Sequence, residues 1–200
     1  MRCAEFFIIF LLVPALFVLE ILPKSYMFLT LWVGCFYALY HTKKNGIKIL
    51  KGFKFDEFKF IFKRFLILAL FLAIFTWIFE RNSFLSLPKQ RLDIWLLVMI
   101  LYPIFSAFFQ EILFRAFFTL RYKAFFKNQN LFIFINALIF GLVHLLFGNF
   151  IAVIFSFFGG ILFIKTYLKS NSTLLSSIEH ALYGNFIFTI GLGHYFYHGY

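Results

Sequence analysis

A small set of polar side chains interrupts stretches that are otherwise almost wholly apolar: Gln110, Glu111 and Arg115, then His144, then Glu179, His180 and Asn185. An ionisable residue carried into hydrocarbon costs about 3 kcal/mol on insertion scales, so each of these is a functional hypothesis by default. Glu111 and Arg115 stand four apart, share a helix face and can form an ion pair that lets both charges cross together. Glu111 precedes Lys127 by 16 positions, and His144 follows Asn128 by 16. On straight helices each therefore lies about 24 Å from the turn at Lys127-Asn128-Gln129-Asn130. That places Glu111 and His144 at one depth, within hydrogen-bond or one-water reach. A carboxylate beside an imidazole is a general-base pair, or two-thirds of a metal site. His180, with Ser176, Ser177, Glu179 and Asn185 nearby, lies only about 12 Å along its helix from Ser172. Tilt or a dipping loop must bring it to the same cavity, and Gly159-Gly160 would permit a close helix approach there. Taken singly, each histidine reads equally well as a helix-to-helix hydrogen bond.

The elements that must carry these residues are membrane helices. The chain is 63% hydrophobic and 14% charged, and 36 of its 200 residues are Phe. Soluble domains are nearer half apolar and a quarter charged, and there is too little polar surface here to cover one. A soluble enzyme, a nucleic-acid binder, a disordered tail and a disulfide scaffold are all excluded. Seven apolar stretches approach the 20 or so residues that a bilayer requires, at 4–22, 26–40, 64–80, 92–120, 131–147, 150–168 and 173–196. Their length and continuity exclude barrel strands, so the expected fold is an all-α polytopic bundle. The expected organisation is a single membrane domain: N-terminal helices and a basic loop over 1–91, and a core carrying the polar residues over 92–200.

The net charge of +11 reports topology rather than nucleic acid. Lys43, Lys44, Lys48, Lys51, Lys54, Lys59, Lys63 and Arg64 crowd the segment between the second and third spans, interleaved with Phe53, Phe55, Phe58, Phe60 and Phe62. This segment is expected on the cytoplasmic surface, which puts the N-terminus inside, the C-terminus outside, and Arg121, Lys123, Lys127, Lys165 and Lys169 inside. The Phe, Ile and Lys excess suits an AT-rich coding sequence and hence a bacterial inner membrane. His41 is expected to be interfacial. His194, Tyr195, Tyr197, His198 and Tyr200 read as an aromatic belt, with the two histidines at metal-ligand spacing as the sharper alternative. Cys3 and Cys35 imply neither disulfide nor metal.

Three segments, Gln110-Glu111-Ile112-Leu113-Phe114-Arg115, Phe140-Gly141-Leu142-Val143-His144 and His180-Ala181-Leu182-Tyr183-Gly184-Asn185, together resemble the CPBP family. Its members are the CAAX prenyl proteases of the Rce1 type and the bacteriocin-processing or immunity (Abi) membrane proteins. The family motifs read EExxxR, FxxxH and HxxxN in this order, and the resemblance covers roughly residues 92–190. It implies an intramembrane endopeptidase in which a glutamate and His144 activate water. His180 and Asn185 would stabilise the oxyanion, and Arg115 would anchor Glu111. Two positions depart from the pattern. Gln110 occupies the place of the first glutamate and cannot accept a proton, which leaves Glu111, or else Glu179, to supply the carboxylate. Asn185 falls five residues past His180, with Gly184 in the expected place, which turns the amide by about 100°.

These readings favour a glutamate-type intramembrane protease cutting a membrane-proximal peptide: a CAAX-like tail, a precursor peptide or a C-terminal sorting anchor. One alternative is a non-catalytic relative acting in bacteriocin immunity or as a membrane scaffold. Another is a small transporter, although the paired repeats typical of one are not visible. Glu111, His144 and His180 would make a three-ligand zinc site with one open position. Water activation needs no metal, and no cofactor is expected. The expected partners are the lipid bilayer and a membrane-associated peptide, not nucleic acid.

Overall fold

The computed structural model describes residues 2–50 and 52–197. Among the described residues seven long helical rods form the bundle: α1 (2–18), α2 (Met27–Lys44), α3 (Phe55–Phe79), α4 (Leu92–Phe125), α5 (Gln129–Phe147), α6 (Phe150–Ser170) and α7 (Thr173–Ile190). No strand occurs among the described residues. The rods fall on the seven apolar stretches, and α3 to α6 are each long and apolar enough to cross a membrane. The other three are shorter or more polar: α2 ends in His41, Lys43 and Lys44, and α7 carries Glu179, His180 and Asn185. The protein is an all-α membrane helix bundle. Large apolar side chains such as Leu66, Ile67 and Leu70 on α3, and Leu97 and Ile100 on α4, stand on its outside, as lipid rather than water as solvent requires.

Two helix boundaries differ most from the sequence reading. α3 begins at Phe55, not Arg64, so the second half of the basic loop is helical. Asp56 and Glu57 sit in its first turn, where carboxylates complement the helix dipole. Glu57 also pairs with Lys169 of α6 at 2.9 Å. The longer helix carries Arg64 into the bundle instead of leaving it in a loop. α7 ends at Ile190 rather than Phe196. Gly191 follows with φ +102°, and a Cβ there would lie 1.7 Å from the Ser83 carbonyl oxygen. The loop after α3 thus closes directly over the end of α7, and only glycine permits it.

α4 is the irregular member. Two π-helical turns, Pro103–Ala107 and Ile112–Phe117, bracket the short α-helical stretch Phe108–Glu111. Pro103 has no N–H, so the Met99 carbonyl loses its normal helical donor. Within a bilayer such a carbonyl must be satisfied by the protein. Asn185 of α7 donates to it at 3.1 Å. Trp32 of α2 donates to the Phe105 carbonyl at 3.0 Å, and Asn136 of α5 to the Phe114 carbonyl at 2.7 Å. Three neighbouring helices thereby hold the distorted backbone.

The remaining packing fixes α4 from below and behind. α1 docks through Phe10, edge-on to Phe114 and Phe118, and through Glu5. Its carboxylate accepts from Arg121 at 2.8 and 2.7 Å and from Tyr122 at 2.7 Å. Small residues bring α5 and α6 together, since a Cβ on Gly160 would sit 3.0 Å from the Ala137 Cα. Gly160 therefore serves the α5–α6 crossing rather than an approach of α6 to α7, and a Cβ on Gly159 would meet the Phe163 ring of its own helix.

Candidate active site

Glu111 lies between the two π turns and is fully buried. Its Oε2 accepts from Arg115 Nε at 3.1 Å, and its Oε1 accepts from His180 Nδ1 at 3.0 Å. Arg115 is equally buried. Its guanidinium donates to Asn136 Oδ1 at 2.5 Å and lies 4.5 Å above the Phe140 ring. One carboxylate is therefore shared between a cation on its own helix and an imidazole on α7.

The sequence reading paired Glu111 with His144 instead. A π turn advances less per residue than an α turn, so Glu111 lies closer to the α4–α5 turn than a straight-helix count places it. That brings it level with His180, whose own count was the shallow one. His144 lies at the far end of α5, in a 3₁₀ turn beginning just past Val143. Its Nδ1 donates to the Phe140 carbonyl at 2.7 Å, and it makes no hydrogen bond to Glu111. The Phe140 ring stands edge-on to both imidazoles, 4.9 Å from His144 and 5.6 Å from His180, and Phe163 stacks on His180 at 4.5 Å.

Both histidines nevertheless border one cavity of about 1030 Å³, together with Tyr102, Ser106, Gln110 and Gly184. A carbonyl can only accept a hydrogen bond, so His144 carries its proton on Nδ1 when neutral. The same holds for His180 against the Glu111 carboxylate. In each ring Nε2 is left as the nitrogen with a free lone pair. Gln110 borders the cavity where Glu111 does not: its amide donates to Ser106 at 2.8 Å, and its Oε1 has no hydrogen-bond partner.

Asn185 does not reach this cavity. Five residues of α-helix place it well round α7 from His180, and no distortion at Gly184 turns it back. Its amide is spent on the Met99 carbonyl freed by Pro103, and Gly184 takes the cavity-facing place. Glu179 also points elsewhere. It pairs with Arg64 of α3 and accepts from Thr166 at 2.5 Å, and Arg64 donates to Thr166 at 2.9 Å. Arg64, Tyr102 and Ser106 escaped the sequence reading. Arg64 was counted with the basic loop, although it opens the apolar run. Tyr102 and Ser106 lie eight and four positions before Gln110, a spacing that marks one helix face.

The zinc reading of Glu111, His144 and His180 does not fit these residues. Both Glu111 oxygens are already committed, and among the described residues no three His, Cys, Asp or Glu side chains gather as metal ligands. At the other end of α7, His194 Nδ1 donates to the Gly191 carbonyl at 2.8 Å, and Nε2 lies 3.7 Å from Glu80. Tyr195 also donates to Glu80; burial, reinforced by that bond, pushes its phenol up to about 12. His198 and Tyr200, the rest of the proposed belt, fall outside the described residues. Cys3 is exposed and Cys35 buried, and both are free thiols.

Residues 92–186 match the family model described as type II CAAX prenyl endopeptidase Rce1-like. No curated protein and no solved structure matched the chain. The matched stretch opens at the first residue of α4 and closes within α7, so it contains Glu111, Arg115, His144 and His180. That match, over 95 of the 200 residues, supports assigning the chain to the Rce1-like CAAX proteases of the CPBP family.

Proposed function

We propose that the protein is an intramembrane endopeptidase that hydrolyses a peptide bond in a membrane-proximal segment. The observation that carries this reading is the pair of imidazoles on one cavity wall, each with Nδ1 engaged and Nε2 free, one of them backed by a buried carboxylate. A water between them would lose its proton to His180 Nε2 as its oxygen attacks the peptide carbonyl carbon. Glu111 acts through that imidazole, fixing its tautomer and stabilising the imidazolium that forms. His144 Nε2 holds the water in line. The imidazolium then returns its proton to the departing amine as the C–N bond breaks. Arg115 and Asn136 hold the carboxylate in place.

The substrate is a peptide already at the membrane, because an apolar cavity inside a helix bundle admits a chain presented by the bilayer. Prenylated tails, precursor peptides and C-terminal sorting anchors share that property. The basic residues between α2 and α3 support an orientation with the N-terminus in the cytoplasm.

The test is cleavage by purified protein in liposomes of three fluorogenic peptides, one from each of these classes. The wild type should cut at least one. His144→Ala should slow that reaction by about 100-fold or more. Cleavage at the wild-type rate by His144→Ala, or of no peptide by the wild type, would remove the protease reading.

A further inference from the structure

Resting on the protease reading, a further group enters the chemistry. A tetrahedral intermediate needs a donor aimed at its oxyanion as well as a base. Asn185 is too far round α7 to serve. Among the cavity's hydroxyl side chains, which include Ser106, Ser156 and Tyr183, Tyr102, in the last α-helical position before Pro103, is the one whose ring stands edge-on to His180 and fills the space at Gly184.

Its location is set by Gly184. A Cβ on Gly184 would come within 2.2 Å of Tyr102 Cε1 and 2.3 Å of its hydroxyl oxygen. The phenol thus fills the space that any side chain at position 184 would occupy. Gly184 is four residues beyond His180, hence next to it on the same face of α7. The phenol ring also stands edge-on to His180, with centroids 6.0 Å apart, and to Phe188 at 5.7 Å. A ring gripped on two sides has little rotational freedom, so its O–H is preorganised. Among the described residues that hydroxyl forms no hydrogen bond, unlike Ser106, which already accepts from Gln110. A phenol is a stronger donor than an aliphatic hydroxyl and keeps its proton while donating.

We propose that Tyr102 is a catalytic residue that donates a hydrogen bond to the developing oxyanion, in the space left by the missing side chain at Gly184. As the water oxygen bonds to the carbonyl carbon, the π electrons move to the carbonyl oxygen and the water proton passes to His180. Tyr102 O–H binds that oxygen until the C–N bond breaks.

The experiment uses the same liposomes and whichever of the three peptides is cut fastest. Tyr102→Phe keeps the ring packed on Gly184, so a purely structural role would leave the rate unchanged. The expected result is a fall in kcat of about 100-fold or more with KM little altered. Tyr102→Ala should fall as far, and adding Gly184→Asn, now free of the clash, should recover at least 10-fold by returning a donor to that space. A kcat for Tyr102→Phe within threefold of wild type overturns the inference. So does a loss confined to KM. If His144→Ala is inactive in the same assay, either result leaves the protease reading standing. Absence of cleavage by the wild type overturns both.

Discussion

His180→Ala should slow peptide cleavage by about 10²–10⁴-fold, the range associated with losing a positioned general base, while the protein still folds. The two halves of that expectation have separate causes. Activity falls because the imidazole bonded to the buried carboxylate is gone, and His144 is bonded to a neutral carbonyl that offers less stabilisation to an imidazolium. The fold survives because Glu111 keeps its bond to Arg115, and water from the adjoining cavity can replace the lost imidazole donor. Initial rates in liposomes check the first half and thermal unfolding in micelles the second. A rate within tenfold of wild type would move the base role to His144 and leave the Glu111–His180 bond as a strut.

The second large effect concerns stability. Arg115→Ala should destabilise the protein by about 3–5 kcal/mol, because it leaves the Glu111 carboxylate buried without its cation. It also removes the guanidinium packed on Phe140 and bonded to Asn136. Glu111→Gln should cost a similar amount from the opposite side by stranding the cation. The informative variant is the double one, Glu111→Gln with Arg115→Met. With both charges gone, most of the stability should return, yet cleavage should not. Unfolding in mixed micelles measures the three variants together. A double variant as unstable as either single one would show that the pair is not sustained by charge balance.

Much of the architecture was legible because hydropathy in a bilayer is a strong constraint. The seven apolar stretches became seven helices, and the spacing of Glu111 and Arg115 announced their ion pair. Boundaries failed where charge misled: Arg64, read as the end of a basic loop, belongs to a helix that starts at Phe55 and brings it to Glu179. The partner of Glu111 was misread because the depth count assumed straight α-helix, and the chain departs from that on either side of this residue. Pro103 was the available warning, since a proline inside a span must free a carbonyl. Which side chain would meet that carbonyl was not readable, because Asn185 lies 86 positions from Met99. Tyr102 was hidden for a related reason: a glycine four residues past a histidine says that something approaches, not what.

The π turns of α4 also determine which kinds of inherited change the protein can absorb. Above Ile112 the helix is locked in rotation by Glu111 to α7, and below Phe117 by Arg121 to Glu5 of α1. Between these two angular settings lies a π turn, which takes up one residue more than an α turn does. Deleting one residue between 112 and 117 would return the stretch to ordinary α-helix with both locks in phase, whereas inserting another would rotate one lock by about 100° against the other. A side-chain exchange at the apolar positions of this stretch disturbs packing locally and leaves both locks engaged; Arg115, the partner of Glu111, is the exception. A regular helix loses its register with any change of length; this stretch carries one residue to spare, so it absorbs a loss more readily than a gain.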